Sequence, residues 1–565
     1  MISQRIPQVL ALLLLMFVLV GYVLYPLGMT IAESLLVEGE TSISHYSSLV
    51  DPANKAHWEA VRNSVSVSLL SVLFSGIVGV FLAFVFTQFE FPFKTVLSRI
   101  AVLPIALPPL VGVIAFLFVF GESGIIPRGL QHLLSLEAVP FSLEGISAIV
   151  AIHAYSFHVY FYLFVSTGLR NMDPSVLEAA SSLGSSQWRT FLRVVVPELR
   201  PALLGASILT FMASMASFSA PFLFGGDSRF MTTQIFSTKL NGEMNLAAAQ
   251  AIALTLVSIA FFILLRLSTG KETSRRGKGA VGFRPMHLSP TVRLLLLVPA
   301  LMLLAVELLP VLTIFLISFA QEGSWTWQIL PTEYTIENYS RLFADTQILD
   351  PIVNSITMSI ITVAGAVVVG VGAAYLVTKG VLRRWRLLMD IVVTLPFAIP
   401  GTVVALSLIL AFDSPGFFSG YSVLVGTFWI LPLAYFVRTF PLVVRSTSAA
   451  LEQLDDSLNE AAQSFGAGPI RRFFRVLLPI ILPGVVSGSI LTLIAALGEF
   501  VSSVLLYTYS SRPISIEILS QLRMYNFGSA AAYCVFLLLL ISLLTFFSER
   551  MFRSRSGSAD RLPGI

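Results

Sequence analysis

Long apolar runs constrain this chain more than any other feature. Phe527–Phe547 contains no charged residue, and Leu294–Ala320 contains only Glu307. A helix of about 20 apolar residues is long enough to cross the hydrocarbon layer of a membrane. Hydrophobic residues make up 56% of the 565-residue chain and charged residues only 12%, which is unlike the balance of a soluble domain. The sequence therefore predicts an all-α integral membrane protein.

The lengths of the apolar runs predict about twelve membrane spans. The N-terminal run is too long for the core of a signal peptide, and no small-residue cleavage pattern follows it, so we expect it to remain as the first span. The predicted spans are 8–28, 64–87, 100–120, 146–168, 203–224, 246–266, 294–319, 355–378, 390–412, 421–444, 485–507 and 527–547.

The charges of the loops predict the orientation. Basic residues are concentrated in 266–293, in 379–386 and in the C-terminal tail, whereas acidic residues dominate 29–60 and 321–351. Lys and Arg are retained on the cytoplasmic side of a membrane. The net charge of +4 comes from these loops and is therefore no sign of nucleic-acid binding. We expect a multi-pass protein with both termini in the cytoplasm, in contact with membrane lipid.

The second half of the chain repeats the first. The segment starting at Asn63 resembles the one at Asn354, and "LPIALPPLV" from Leu103 resembles "LPFAIPGTV" from Leu395. Each half holds six spans that start on the same side, so the two six-helix repeats are parallel and related by an axis along the membrane normal. The predicted units are a first half over 1–268, a cytoplasmic linker over 269–290 and a second half over 291–565.

Two details of the repeat predict local structure. The matched proline stretches predict a break or kink in the third span of each half. Asn63 and Asn354 begin the predicted second spans, and we expect both to be helix caps.

One partly polar segment occurs twice, within 170–201 and 446–483. It reads "EAASSLGSSQWRTFLRVVVPELRP" from Glu178 and "EAAQSFGAGPIRRFFRVLLPIILP" from Glu460, with eleven of 24 positions identical. Asp173 before proline predicts a helix start, and Gly184 predicts a left-handed helix end. The pattern indicates two short helices joined at an angle, on the cytoplasmic face. The alternative is a simple membrane-surface connector, which would not require the same spacing in both halves.

These residues resemble the EAA loop of permease subunits of bacterial ATP-binding-cassette (ABC) importers. The resemblance implies the type I ABC importer permease fold, a location in the inner membrane, and docking of two copies of a cytoplasmic ABC ATPase on the two loops. It also implies a solute-binding protein on the outer face. The residues that it marks for ATPase coupling are Glu178, Ala179, Ala180, Gly184, Glu460, Ala461, Ala462 and Gly466.

The chain has no G-x4-G-K-[ST] phosphate-binding loop. We therefore expect no catalytic, cofactor or metal site in this chain, and we expect ATP and magnesium to be bound by the partner ATPase.

The fifth span of each half should line the solute pathway, because it follows the repeated loop directly. Ser217 and Phe218 of the first half align with Glu499 and Phe500 of the second. A carboxylate within a membrane span indicates either a functional site or a paired structural group. We expect these four residues to form a pathway or gate, with a hydrogen-bonded helix contact as the alternative for Glu499 and helix packing as the alternative for the serine.

The substrate is the least constrained prediction. Fused two-half permeases resemble those known for ferric iron, thiamine and 2-aminoethylphosphonate, and ferric iron is the first hypothesis on architecture alone. His153 and His158 are five residues apart on one predicted helix, a poor spacing for a shared metal. The remote alternative is a secondary transporter with twelve spans, but such a protein would not need two matched cytoplasmic loops.

Overall fold

The computed structural model describes residues 2–268, 290–344, 346–379 and 386–559. Nearly all of the regular structure in these residues is helical. This follows from the membrane setting, where a helix satisfies its own backbone hydrogen bonds without water. One short hairpin of Leu36–Val37 and Glu40–Thr41 lies in the loop after the first span. The all-α prediction is confirmed.

The first half contains sixteen α-helices, with π-helical turns at Val20–Leu24 and Phe191–Val195. They are α1 (Ile2–Leu19), α2 (Tyr25–Ser34), α3 (Ser44–Val50), α4 (Lys55–Gln88), α5 (Lys94–Ile100), α6 (Leu103–Ala106), α7 (Pro109–Phe120), α8 (Ile125–Leu133), α9 (Gly145–Arg170), α10 (Pro174–Ser182), α11 (Gln187–Thr190), α12 (Val196–Glu198), α13 (Arg200–Met215), α14 (Ser219–Phe224), α15 (Met231–Leu240) and α16 (Met244–Ser268).

The described part of the second half repeats this order, with a π-helical turn at Phe473–Leu477. Its helices are α17 (Pro290–Ile317), α18 (Glu337–Ala344), α19 (Thr346–Thr378), α20 (Arg386–Ala398), α21 (Gly401–Phe412), α22 (Ile430–Glu452), α23 (Asp456–Ser464), α24 (Pro469–Arg472), α25 (Leu478–Leu497), α26 (Val501–Leu506), α27 (Ile514–Arg523) and α28 (Phe527–Ala559). Residues 269–289 of the predicted linker lie outside the described residues, so its boundaries stay a prediction.

Nine helices in the described residues are long and apolar enough to cross a membrane. They correspond to nine of the predicted spans and cover Val9–Ser34, Lys55–Gln88, Pro109–Leu133, Gly145–Arg170, Met244–Leu264, Pro290–Ile317, Gln347–Thr378, Pro469–Leu497 and Phe527–Phe547. A tenth is reached if Trp188–Glu198 and Arg200–Met215, which meet at 63°, count as one span.

The remaining predicted spans contain shorter or more polar helices. The span predicted over 390–412 is divided into α20 and α21 at Pro400, and the first half has the same break between α6 and α7. The proline-break prediction is thus confirmed. The prediction that a span begins at 421 is wrong, because α22 begins at Ile430. Arg438 and Arg445 lower the apolar character of α22.

The two halves share one packing scheme. In the first, α4 packs on α9 and α13, and in the second α19 packs on α22 and α25. The first span of each half contacts the opposite half: α1 and α2 lie on α19 and α21, while α17 lies on α7. The hydroxyl of Thr30 donates to Ser407 at 2.7 Å across this contact. Gly21 is required there, because a Cβ atom would lie 2.4 Å from the ring of Phe418. The halves are interlocked rather than merely adjacent.

The prediction that Asn63 and Asn354 cap helices is wrong. Both lie inside long helices, α4 and α19, which begin earlier than the apolar runs suggest. The side-chain amide of Asn63 donates to the backbone oxygen of Arg229 at 3.1 Å, and that of Asn354 donates to Arg512 at the same distance. The two residues therefore hold equivalent loops against the second span of each half.

Candidate functional site

The repeated segments, predicted to lie on the cytoplasmic face, form two matched elbows, which we define as residues 173–199 and 455–481. Each begins with an aspartate that caps a nine-residue helix: Asp173 accepts from the backbone N–H of Ser175, and Asp455 from that of Ser457, both at 2.9 Å. These hydrogen bonds to the carboxylate hold the pKa of both aspartates below the ordinary value. The predicted helix start is confirmed in both copies.

A glycine ends each of these helices. Gly184 has φ +73° and Gly466 has φ +77°, the left-handed conformation that favours glycine. The backbone N–H that follows Gly184 donates to Ala180 at 3.1 Å, and the equivalent bond reaches Ala462 at 3.1 Å. A Cβ atom at either glycine would have no neighbour within 4 Å. The constraint on these glycines is therefore the backbone turn and not a lack of space.

The remaining predicted coupling residues have the same exposure in both elbows. Glu178 and Ala179 are exposed, as are Glu460 and Ala461, while the second alanine of each motif is half-buried. The motif thus presents one face of α10 and of α23 away from the membrane helices. This exposure is compatible with a role of the Glu-Ala-Ala residues in ATPase coupling, and that role stays a prediction.

Sequence reasoning missed the exposed apolar side chains at the same elbows. Leu183 is 88% exposed and its equivalent Phe465 is 92% exposed, while Trp188 and its equivalent Ile470 are 70% and 60% exposed. Large apolar side chains with this exposure at matched positions indicate a binding surface. The alignment carried a signal for them, since these positions are apolar in both copies although the residues differ.

An aromatic contact joins each elbow to the membrane helices. Phe191, at the start of the π-helical turn, lies 5.6 Å from Phe84 of α4 between ring centroids. Phe473 makes the equivalent contact with Tyr375 of α19 at 5.7 Å. Both pairs are edge-to-face, at 78° and 77°. The elbows are therefore fixed to the second span of each half by the same ring geometry.

Two of the predicted pathway residues meet between the halves. The rings of Phe218 and Phe500 lie 5.9 Å apart, and each residue is 1% exposed. They occupy equivalent positions, so the pseudo-twofold axis must pass between them. Phe222 stacks on Phe218 with a centroid separation of 5.0 Å. The rings of Phe218, Phe222 and Phe500 thus form one aromatic cluster between the fifth spans, and a role as a gate stays a prediction.

Ser217 belongs to a buried polar cluster beside this contact. Its hydroxyl lies 2.9 Å from Nε2 of His153, whose Nδ1 lies 2.9 Å from Ser71 and 3.1 Å from Ser214. The cluster joins α4, α9 and α13 by side-chain hydrogen bonds. His153 therefore links three helices, and Ser217 has the packing role that was the alternative to a place in the pathway.

Glu499 forms an ion pair that sequence reasoning did not foresee. One carboxylate oxygen bonds to Nη1 of Arg438 on α22, and the other accepts from the backbone N–H of Ser502 at 2.9 Å. The side chain of Glu499 is 10% exposed and that of Arg438 is 25% exposed. The described residues contain no group of three or more His, Cys, Asp or Glu suited to a metal ion. The geometry fits the hydrogen-bonded alternative for Glu499, and a direct role in the pathway stays a prediction.

The chain was compared with known proteins. The family model described as "Binding-protein-dependent transport system inner membrane component" matches residues 75–271 and 366–557. The chain is 29% identical over 512 residues to a probable ABC transporter permease, y4fN, of Sinorhizobium fredii, covering 89% of each chain. It is 25% identical over 580 residues to the ferric transport system permease protein FbpB of Actinobacillus pleuropneumoniae, covering 97% of this chain and 80% of that one.

A shorter relative matches one half. The sulfate transport system permease protein CysT of Escherichia coli is 30% identical over 237 residues, which cover 40% of this chain and 83% of CysT. The family model matches the chain twice, once in each part of the repeat, and the two matches together span more than half of the residues. The chain is a transport permease of two fused halves, and it belongs to the family of binding-protein-dependent transport system inner membrane components.

Proposed function

We propose that this chain is the membrane-spanning permease subunit of an ABC importer and that each elbow docks one copy of a cytoplasmic ATPase. The observation that supports docking is the pair of matched apolar surfaces at Leu183 and Phe465, on helices that carry the same Glu-Ala-Ala motif. Two equivalent surfaces on a pseudo-twofold chain suit a partner with two equivalent subunits. ATP and magnesium would be bound by that partner, and this chain would supply no catalytic or cofactor-binding group.

The proposed mechanism is alternating access. Closure of the ATPase pair on ATP would draw the elbows together, and the ring contacts at Phe191 and Phe473 would pass the movement to α4 and α19. A rigid-body change of this kind needs only two stable packings of the halves. The contact of Phe218 with Phe500 would open in one packing and close in the other. A solute-binding protein would deliver the solute at the outer face of the inner membrane.

Ferric iron is the first substrate hypothesis, with thiamine and 2-aminoethylphosphonate as alternatives. The support for iron is the likeness to FbpB, a ferric transport permease, over 97% of this chain. The likeness of one half to CysT, a sulfate permease, leaves an anionic solute as a further candidate. Stimulation of ATP hydrolysis in the assembled transporter by each candidate, bound to its binding protein, separates them.

Docking is tested by co-purification of the full chain with its ATPase. We expect Leu183→Asp combined with Phe465→Asp to reduce ATPase binding about 30-fold or more, since a hot-spot side chain contributes on the order of 2 kcal/mol. Leu133→Asp is the matched control, because Leu133 is 76% exposed but lies on α8, away from the elbows. Undiminished binding in the double variant, or solute uptake by the chain without any ATPase, would overturn the proposal.

A further inference from the structure

A cavity of about 370 Å³ lies in the first half, between α3, α4, α13 and α16. Apart from Tyr46 and Ser47, every residue around it is an aliphatic residue or a methionine. The hydroxyl of Tyr46 donates to Ser34 at 2.6 Å and so is already paired. Water in such a space would lack hydrogen-bond partners. The side chains that define its walls are Tyr46 and Leu49 of α3, Val61 and Val65 of α4, and Ala253 and Val257 of α16.

The equivalent position of the second half holds a larger side chain. The run Ala247–Ala249 aligns with Ala530–Ala532, which places Ala253 opposite Phe536 in the repeat. The Phe536 ring packs on Phe343 of α18 with a centroid separation of 5.9 Å. Helix α18 precedes the second span of its half, as α3 does in the first. An aromatic pair therefore occupies the place that Ala253 leaves open.

The position of the cavity indicates which kind of molecule can fill it. Two of its walls, α4 and α16, are membrane-spanning helices, and α3 lies where α4 begins. Ile43 and Val50, at its rim, are 72% and 63% exposed. An unfilled space of this size would forfeit the dispersion contacts of its walls. The molecules that surround these helices and match an apolar slot are the acyl chains of the bilayer.

Charged residues of both signs lie in and near the segment that joins α3 to α4, next to the cavity residue Val50. Asp51 follows Val50 directly, and Lys55 begins α4. Arg229 and Glu243 are close enough to act electrostatically on His57, one turn before Val61. A headgroup that carries both a phosphate and an ammonium finds complementary charges there, whereas a purely anionic one would face Asp51 and Glu243. This mixture favours a zwitterionic phospholipid.

We infer that the cavity binds one acyl chain of a phospholipid with a zwitterionic, amine-bearing headgroup, in the first half of the permease alone. The lipid would lie against α3, α4 and α16, with its headgroup at the level of Asp51 and Lys55. The site is asymmetric because Ala253 and Phe536 differ in size, although the surrounding helices repeat.

The test counts tightly bound lipids by native mass spectrometry. The full chain is reconstituted in equal parts of phosphatidylethanolamine and phosphatidylglycerol and then extracted in mild detergent. We expect one retained phosphatidylethanolamine in the wild-type chain and none in Ala253→Phe. Phe536→Ala is the matched variant, and we expect it to retain two, because it opens the equivalent place in the second half.

Val257→Phe narrows the same cavity at another lining position of α16 and gives a second loss-of-lipid variant if Ala253→Phe does not fold. Equal lipid counts in the wild-type chain and in a folded filled variant would overturn the inference, as would a preference for phosphatidylglycerol. Retention of fatty acid or detergent alone would also overturn it. The measurement needs neither ATPase nor solute, so its failure is distinct from a failure of the transport proposal.

Discussion

The imidazole of His158 and the carboxylate of Glu307 lie 3.1 Å apart, buried between α9 of the first half and α17 of the second. The nitrogen in this contact is Nε2. The other ring nitrogen, Nδ1, faces the backbone oxygens of Ala154 and Tyr155 at 3.1 and 2.9 Å. Carbonyl oxygens only accept hydrogen bonds, so Nδ1 carries a hydrogen. Nε2 also lies 3.3 Å from the backbone oxygen of Ala101, so both ring nitrogens make polar contacts.

We predict that Glu307→Gln preserves this contact, because an amide can donate to Nε2 without any charge. His158→Leu instead leaves a carboxyl group buried without its partner, and loss of one member of a buried pair costs about 3 kcal/mol or more. The measurement is thermal unfolding of the purified chain. His158→Leu combined with Glu307→Leu should recover part of the loss. A melting temperature of His158→Leu equal to that of the wild-type chain would contradict a stabilising role for this buried contact.

The two elbow glycines give a second prediction. Alanine at Gly184 and Gly466 must adopt a left-handed conformation, which costs roughly 1–2 kcal/mol per residue. We expect the helix ends to relax into another turn and ATP-driven uptake to fall, with the chain still folded. Gly242→Ala is the control, because its φ of +84° and open surroundings impose the same strain between α15 and α16. Full uptake by the double elbow variant would count against the proposed coupling.

A third prediction concerns transmission from the elbow to the membrane helices. Phe191→Leu and Phe473→Leu keep an apolar side chain but remove the edge-to-face ring contacts with Phe84 and Tyr375. We expect ATPase binding to be retained while solute moved per ATP hydrolysed falls several-fold. Parallel measurement of hydrolysis and uptake in proteoliposomes separates these effects. An unchanged ratio would mean that force passes from the elbows by another route.

The contact on the pseudo-twofold axis yields a fourth prediction. Phe218→Ala and Phe500→Ala remove rings of the aromatic cluster between the fifth spans, and each should also lower the free energy of unfolding by about 3 kcal/mol. We expect solute to leak across proteoliposomes without ATP. Phe211→Ala is the control, since Phe211 is 2% exposed and stacks on Phe261 within one half. Leakage equal in the axis variants and the control would refute a closing role for this pair.

The repeat was the most informative part of the sequence, because equivalence between halves turns a weak local pattern into a structural prediction. It predicted the elbow helices, the left-handed helix end at Gly184 and the equivalence of Phe218 and Phe500, although not their direct contact. It could not give the ion pair of Glu499 with Arg438, which are 61 residues apart. That contact depends on how α22 meets the loop after α25, and it has no charged counterpart at Ser217 in the first half.

The solvent exposure of individual apolar side chains was the second feature that the sequence could not predict. In a chain with 56% hydrophobic residues, Leu183 and Phe465 do not stand out as surface residues until the turn around the following glycine is known. The ends of the second spans were misjudged for a related reason. Helix α4 continues for more than two turns before Asn63 through residues too polar to count as a membrane run.

The contacts between the first span of each half and the opposite half bear on the role of the covalent link between the halves. Helices α1 and α2 of the first half pack on the second half, and α17 of the second half packs on the first. Cleavage of the peptide between 268 and 290 would therefore leave two fragments that these contacts hold together. Synthesis as a single chain thus guarantees equal numbers of the two unlike halves and a unique order of assembly. The noncovalent contacts between the halves hold them together.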